Sequence, residues 1–310
     1  MIVENEYRIK LSDINRENKA TNKAILSYLE DVGGKHSDLA GYGILDIPQT
    51  HLSWIIIEWK LQVIRRPNYG EKIRATTWSK NAIRCYAYRD FKVYDEQGNV
   101  IILASSKWVL VDTIKGKIVR IDDGLLNKYQ PELEMSAFEH KDDDFPKMRE
   151  PDKYQSEAEY KVRKADIDVN NHMHNLNYVD LVNEALPEDV YNKENLNNIR
   201  ITYKKEIKLG ETVKCKYSFV DGKHFVVVKS QDDKLIHALV ELYNWCTDGT
   251  GSYRCIFCTF GTGSLPYHFL FKPRVLRSFN NLYPLKLKLM ISLIKIEIIY
   301  PLKPRIGTRK

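Results

Sequence analysis

Asp168, Asn170 and His172 bring a carboxylate, an amide and an imidazole within five residues, in the run Asp166-Ile-Asp-Val-Asn-Asn-His-Met-His-Asn-Leu-Asn-Tyr178. They fall where an extended polar segment is expected to turn into a helix. The free backbone N–H groups of a helix start favour negative charge and could hold the oxyanion formed when water attacks an ester or thioester. Glu206, in a separate predicted strand between Lys205 and Ile207, would complete the set. A carboxylate brought beside an imidazole and partly desolvated has a raised pKa and accepts a proton from water. Each residue also has a plainer explanation. Asp and Asn are common helix caps, and an exposed strand carboxylate forms surface ion pairs worth little. Asn171 and His174 share the segment and are expected to be solvated or to support the others.

The elements that must position these residues occur twice. Ser12-Asp13-Ile14-Asn15 precedes a predicted helix at Lys23–Val32, and Ala165-Asp166-Ile167-Asp168 precedes one at Asn175–Leu186. Both helices are amphipathic, with Ile25, Leu26, Leu29 and Val32 in the first and Leu176, Val179, Val182 and Leu186 in the second. Alternating strands follow each helix. Gly70-Glu71 is echoed by Gly210-Glu211, turns fall at Asp95–Asn99 and Gln231–Lys234, and the last strands, Ala104–Val111 and Ala238–Asn244, correspond. One helix followed by antiparallel strands, used twice, implies an α+β chain in which each sheet wraps a central helix. The expected boundaries are residues 1–138 for the N-terminal domain, 139–153 for a polar linker, 154–244 for the C-terminal domain and 245–310 for a tail. The copies differ chemically: Lys19 aligns with His172, and Arg66 with Glu206. Chemistry is therefore expected in the second domain, and pocket shaping in the first, where substitutions of apolar residues such as Ile25 or Leu29 would alter the pocket or stability rather than the chemistry.

Asp168, Asn170, His172, Asn175 and Tyr178 resemble the active-site pattern Asp-x-Asn-x-His-x-x-Asn-x-x-Tyr of the acyl-ACP thioesterases. The Tyr203-Lys-Lys-Glu206 run is similar to that family's second motif, about thirty residues downstream. Trp54-Ile-Ile-Ile-Glu-Trp59, Pro67-Asn-Tyr-Gly-Glu71 and Ala104-Ser-Ser-Lys-Trp-Val109 look like its landmarks in order, so the resemblance covers roughly Met1 to Asn244. It implies tandem hot-dog domains and hydrolysis of a fatty acyl thioester carried by an acidic acyl carrier protein. It also implies that Glu206 acts as general base with His172, that Asn170 and backbone N–H groups bind the carbonyl oxygen, and that Asp168 fixes Asn170 and His172. Thioester carbonyls are poorly resonance-stabilised, so no cofactor or metal is expected. Many plant members carry a cysteine directly after this glutamate; Ile207 rules out a thiol nucleophile there. An acyl-CoA thioesterase and a non-catalytic acyl-binding or regulatory hot-dog protein are the alternatives.

Charge is unevenly spread. The net charge is +7, but residues 1–244 hold 37 Lys+Arg against 39 Asp+Glu, whereas 245–310 hold 11 against 2. The near-neutral body lacks the footprint of a nucleic-acid binder. Arg65, Arg66, Lys204 and Lys205 could meet an acidic partner, although strand-edge charge commonly serves solubility. The tail reads as foreign to the two-copy body, through frameshifted or read-through translation, with a basic membrane-surface or partner-binding appendage as the alternative. Lys286, Lys288, Lys295 and Glu297 interrupt its apolar run, so no membrane span is expected. Cys246, Cys255, Cys258 and His268 can be written as a zinc set, but one CxxC without a second close pair is weak evidence. Cys85 and Cys215 are expected to be small buried residues. Five cysteines and an N-terminus without signal-peptide character suggest a reducing cytoplasm. A homodimer is compatible with this pattern.

Overall fold

The computed structural model describes residues 1–138, 145–193, 196–244, 246–247 and 253–254. The side chains of Cys246, Cys255, Cys258 and His268, and nearly all of the tail, lie outside the described residues.

The first half runs β1 (Ile2–Arg8), α1 (Asn22–Ala40), α2 (Ile47–Thr50), β2 (Leu52–Val63), β3 (Lys72–Ile83), β4 (Tyr86–Tyr94), β5 (Val100–Asp112), β6 (Lys117–Val119) and α3 (Asp123–Lys128). The second runs β7 (Ser156–Lys161), α4 (Tyr178–Ala185), α5 (Glu188–Lys193), β8 (Asn198–Tyr203), β9 (Thr212–Val220), β10 (Lys223–Ser230) and β11 (Ile236–Tyr243). Strand order is β1-β3-β4-β5-β2-β8-β11-β10-β9-β7, with β6 added beside β5. The second half thus repeats the first in mirror order. The two join where β2 pairs antiparallel with β8, Trp59 opposite Ile201 and Leu61 opposite Ile199. This is the tandem hot-dog arrangement that the repeat implied.

Thr21 caps α1 by accepting from the Ala24 N–H, and the helix ends at Gly41, whose φ of 77° suits a residue without Cβ. It runs eight residues past the expected end at Val32. Gly33 and Gly34 weaken it by about 1 kcal/mol each relative to alanine, yet buried His36 and Ala40 continue its inner face. α4 is much shorter, and a 3-10 turn at Asn175–Asn177 precedes it.

The core is continuous across both halves, joining Ile25, Leu26, Leu29, Trp59 and Phe91 to Val179, Val182, Ile199, Ile201 and Val240. Two self-contained cores are therefore not what forms, because the β2–β8 ladder merges the sheets. The described part of the linker also packs. Met148 is buried against Val227 and Leu239, Lys229 bonds Glu150 at 2.8 Å, and Arg200 donates to the Pro146 carbonyl. Among the described residues, no helix is long and apolar enough to cross a membrane.

Candidate active site

Local hydrogen bonding builds the turn that carries the chemistry. Asp166 anchors it, accepting from the Arg163 N–H, the Arg163 guanidinium and the Tyr160 hydroxyl, each at 2.8 Å. Burial alone would raise its pKa, but these bonds outweigh burial and hold the carboxyl at about 2. Two residues on, Asp168 Oδ1 accepts from the backbone N–H groups of Asn170 (2.8 Å) and His172 (3.2 Å), while Asp168 N–H donates to the His172 carbonyl at 2.8 Å. Asn171 sits at φ 61°, a left-handed conformation that asparagine tolerates. Asp168 thus holds the turn bearing Asn170 and His172.

The first half contains the same turn. Asn15 Oδ1 accepts from the N–H groups of Glu17 and Lys19, Asn15 N–H donates to the Lys19 carbonyl, and Asn18 has φ 62°. Lys19 bridges to Asn68 as His172 bridges to Lys208. The backbone superimposes in kind while the chemistry differs: Asn15, Glu17, Lys19 and Arg66 stand where the second half has Asp168, Asn170, His172 and Glu206.

Glu206 is not in a strand. β8 ends at Tyr203 because the N–H groups of Lys204 and Lys205 both go to the His237 carbonyl, which breaks the ladder. The chain then crosses to the turn, where Ile207 accepts from the Met173 N–H at 2.8 Å and Lys208 pairs with His172. Ile207 is fully buried, so Glu206 points outward and is exposed. Among the described residues neither the Glu206 carboxylate nor the His172 imidazole has a hydrogen-bond partner, and neither residue is among those lining the cavity that Asn170 reaches. The Glu206 charge still reaches the buried Tyr178 hydroxyl, whose pKa is raised first by burial and then by Glu206. The backbone carbonyl of Asn175, also in the motif, accepts from the Tyr203 hydroxyl at 3.0 Å.

Two of the helix-start donors are already bonded within the turn. Leu176 N–H goes to His174 Nδ1 and Asn177 N–H to the His174 carbonyl. Asn170 lines a cavity of ≈ 410 Å³ that runs into the first half, past Glu30 on α1 to Trp54, Trp108, Leu125 and Tyr129. Behind its wall, Arg89 donates to His36 Nδ1 at 2.8 Å, and the fully buried His36 has Nε2 3.1 Å from the Tyr129 carbonyl. Burial, then the neighbouring guanidinium, pushes the His36 pKa down to about 3, so the ring is neutral. Ile25 and Leu29 do not line this space; both are fully buried in the core. Leu29→Ala would therefore be a cavity-forming core change rather than a pocket change.

Glu30 was not singled out from sequence; it faces His174 across the halves, Oε2 to Nε2, at 3.6 Å. The adjacent Gly33-Gly34 pair in a helix was the available signal, since both glycines line the cavity. The basic quartet divides. Arg65 is paired with Glu71 and Asp95. Arg66 is a strut between the halves, donating to Asn197, the Ala20 carbonyl, Asn22 and the Leu196 carbonyl. Lys204 and Lys205 are exposed beside Glu206. Cys85 is half-exposed at the β3–β4 hairpin rather than buried, whereas Cys215 is buried, and burial pushes its pKa up to about 12.

Residues 2–129 match the family description acyl-ACP thioesterase N-terminal domain, and residues 149–242 match its C-terminal domain. Oleoyl-acyl carrier protein thioesterase 1, chloroplastic, of Arabidopsis thaliana is 24% identical over 222 residues, covering 67% of this chain and 61% of the relative. Palmitoyl-acyl carrier protein thioesterase, chloroplastic, of Cuphea hookeriana is 25% identical over 219 residues, covering 66% of this chain and 52% of the relative. The chain thus spans little more than half the length of these curated relatives. Among solved structures, the 12:0-ACP thioesterase from Umbellularia californica has a TM-score of 0.69 at 18% identity, over 78% of this chain and 96% of that one. An acyl-ACP thioesterase from Bacteroides thetaiotaomicron has a TM-score of 0.66 at 18% identity, over 78% and 97%. At such identities the structural likeness shows the fold.

Proposed function

The chain belongs to the acyl-ACP thioesterase family, and from that premise we infer that it hydrolyses fatty acyl-ACP thioesters to free fatty acid and holo-acyl carrier protein. The observation that carries this reading is the cavity shared by Asn170 and the apolar residues of the first half. An acyl chain lying among Trp54, Trp108 and Leu125 would present its thioester carbonyl at the turn. Water then attacks: its oxygen bonds to the carbonyl carbon, Glu206 takes its proton with His172 alongside, and Asn170 donates to the developing oxyanion. Collapse of that intermediate breaks the C–S bond, and the proton passes to the departing pantetheine sulfur. Asp168 keeps Asn170 and His172 in register.

Lys204, Lys205 and Lys208 are exposed around Glu206 and suit an acidic carrier protein arriving at that face. The cytoplasm belongs to the same proposal, in keeping with free thiols at Cys85 and Cys215. Turnover of the full chain on acyl-ACP and acyl-CoA of equal chain length tests the substrate. The acyl-ACP is expected to be cleaved faster; preference for acyl-CoA would move the chain to the alternative substrate class, and turnover of neither would remove the hydrolase reading.

The cavity's role has its own test. Ala87 on β4 lines it and is small. Ala87→Phe is expected to shift product toward shorter fatty acids, disfavouring each excluded methylene by about 1–3 kcal/mol. The measurement is the fatty acid profile released from a panel of acyl-ACPs, and an unchanged profile would take this cavity out of the acyl path.

A further inference from the structure

The repeat sets a turn of one half against a helix of the other twice over. In the cavity already described, the second half's turn contributes Asn170 and α1 of the first half contributes Glu30. The sequence offset that relates Asn15 to Asp168 also relates Glu17 to Asn170 and Glu30 to Asn183. Glu17 and Asn183 line a second cleft, of ≈ 620 Å³, between the first half's turn and α4. That volume lies within the range of small-molecule sites. None of the hydrolytic set is present there, because Asn15, Glu17, Lys19 and Arg66 stand in place of Asp168, Asn170, His172 and Glu206.

The residues that stand there instead favour a different ligand. Val179, Leu186, Leu196 and Leu242, all buried, give the cleft an apolar floor. Arg16, Lys23 and Arg66 also line it, against a single carboxylate, Glu17. Lys23 is paired with Asp180 at 2.5 Å, and Glu17 with Lys19 at 3.4 Å. The two arginines differ from Lys23. Arg66 gives four hydrogen bonds, all to neutral acceptors, and Arg16 donates only to Asn192 Oδ1, at 3.4 Å. Among the described residues neither guanidinium forms an ion pair with a carboxylate, and the Glu17 charge reaches Arg66 only at longer range. Both keep their charge, since arginine does not lose its proton in proteins. Two such cations beside an apolar floor are complementary to a molecule with an anionic head and an alkyl body.

We propose that this cleft is a second ligand site and binds a long-chain carboxylate, its head on Arg16 and the remaining N–H of Arg66, its chain over Val179, Leu186, Leu196 and Leu242. The binding involves no chemical step and stands apart from the hydrolase reading. A fatty acid released by the reaction inferred above belongs to this ligand class. Because residues of both halves form the cleft, occupancy should raise the melting temperature by linkage.

Calorimetric titration of the full chain with decanoate, below its micelle concentration, tests this. The wild type is expected to bind decanoate saturably in two classes of site, the acyl cavity and this cleft. Arg16→Glu should weaken one class at least about tenfold, the scale of a lost hydrogen bond between charged groups, and Ala87→Phe should weaken the other. Arg16 is exposed, so its replacement should leave the melting temperature of the free protein unchanged. Decanol, which lacks the charge, should bind the Arg16-sensitive class at least about tenfold more weakly than decanoate. Unaltered binding in Arg16→Glu, decanol as tight as decanoate at that class, or no saturable decanoate binding overturns the site. The two readings fail separately. A single class lost in Arg16→Glu and indifferent to Ala87→Phe supports the cleft and removes the acyl-cavity reading, and a single class with the opposite behaviour removes the cleft alone.

Discussion

Glu206→Gln is expected to lower kcat at least about a hundredfold and to leave the fold intact, the loss that follows removal of general-base help. The structure makes this a clean experiment. Glu206 lies outside the sheet, its side chain is exposed, and among the described residues its carboxylate holds no hydrogen bond. Surface changes of this kind alter stability by no more than about 0.5 kcal/mol. A fall in turnover with an unchanged melting temperature therefore reports chemistry. Near-normal turnover would remove Glu206 from the mechanism and leave its exposure as ordinary solvation.

Asp168→Asn should cost on the order of a thousandfold in kcat, within the range for groups that act with a positioned acid or base. The repeat supplies the control that is usually missing. Asn15 makes the same two backbone acceptor bonds in the first half's turn, with the same left-handed residue three positions on. An amide at position 168 therefore preserves the turn, and what is lost is the negative charge beside Asn170 and His172. Thermal unfolding and kcat measured on the same preparation separate the possibilities: a large drop in melting temperature would mean that Asp168 is structural, and unchanged kcat would mean that its charge is idle.

The parts of the protein legible in the sequence are those held by bonds between near neighbours. The Asp168–His172 turn closes within five residues, so its spacing could be recognised without knowing what packs on it. Amphipathic helices, the turn residues at Asp95–Asn99 and Gln231–Lys234, and the repetition itself are local in the same sense. They suffice for the hot-dog architecture and for Asp168, Asn170 and His172 as a unit.

Tertiary structure decided everything that depends on partners distant in sequence. Glu30 meets His174 across 144 positions, and nothing in either local pattern indicates it. Arg66 looked like a surface charge until its four acceptors, on both halves, were in place. The alternating pattern around Glu206 suggested a strand, but two N–H groups sharing the His237 carbonyl end β8 early and turn Ile207 inward. Ile25 and Leu29 share α1 with Glu30 and Gly34, yet the sheet buries the first two and leaves the last two on the cavity. Helical periodicity shows which residues are apolar and on which face they lie. Which part of that face meets the core and which meets an empty chamber is determined by where β4, β5 and α3 come to rest against it.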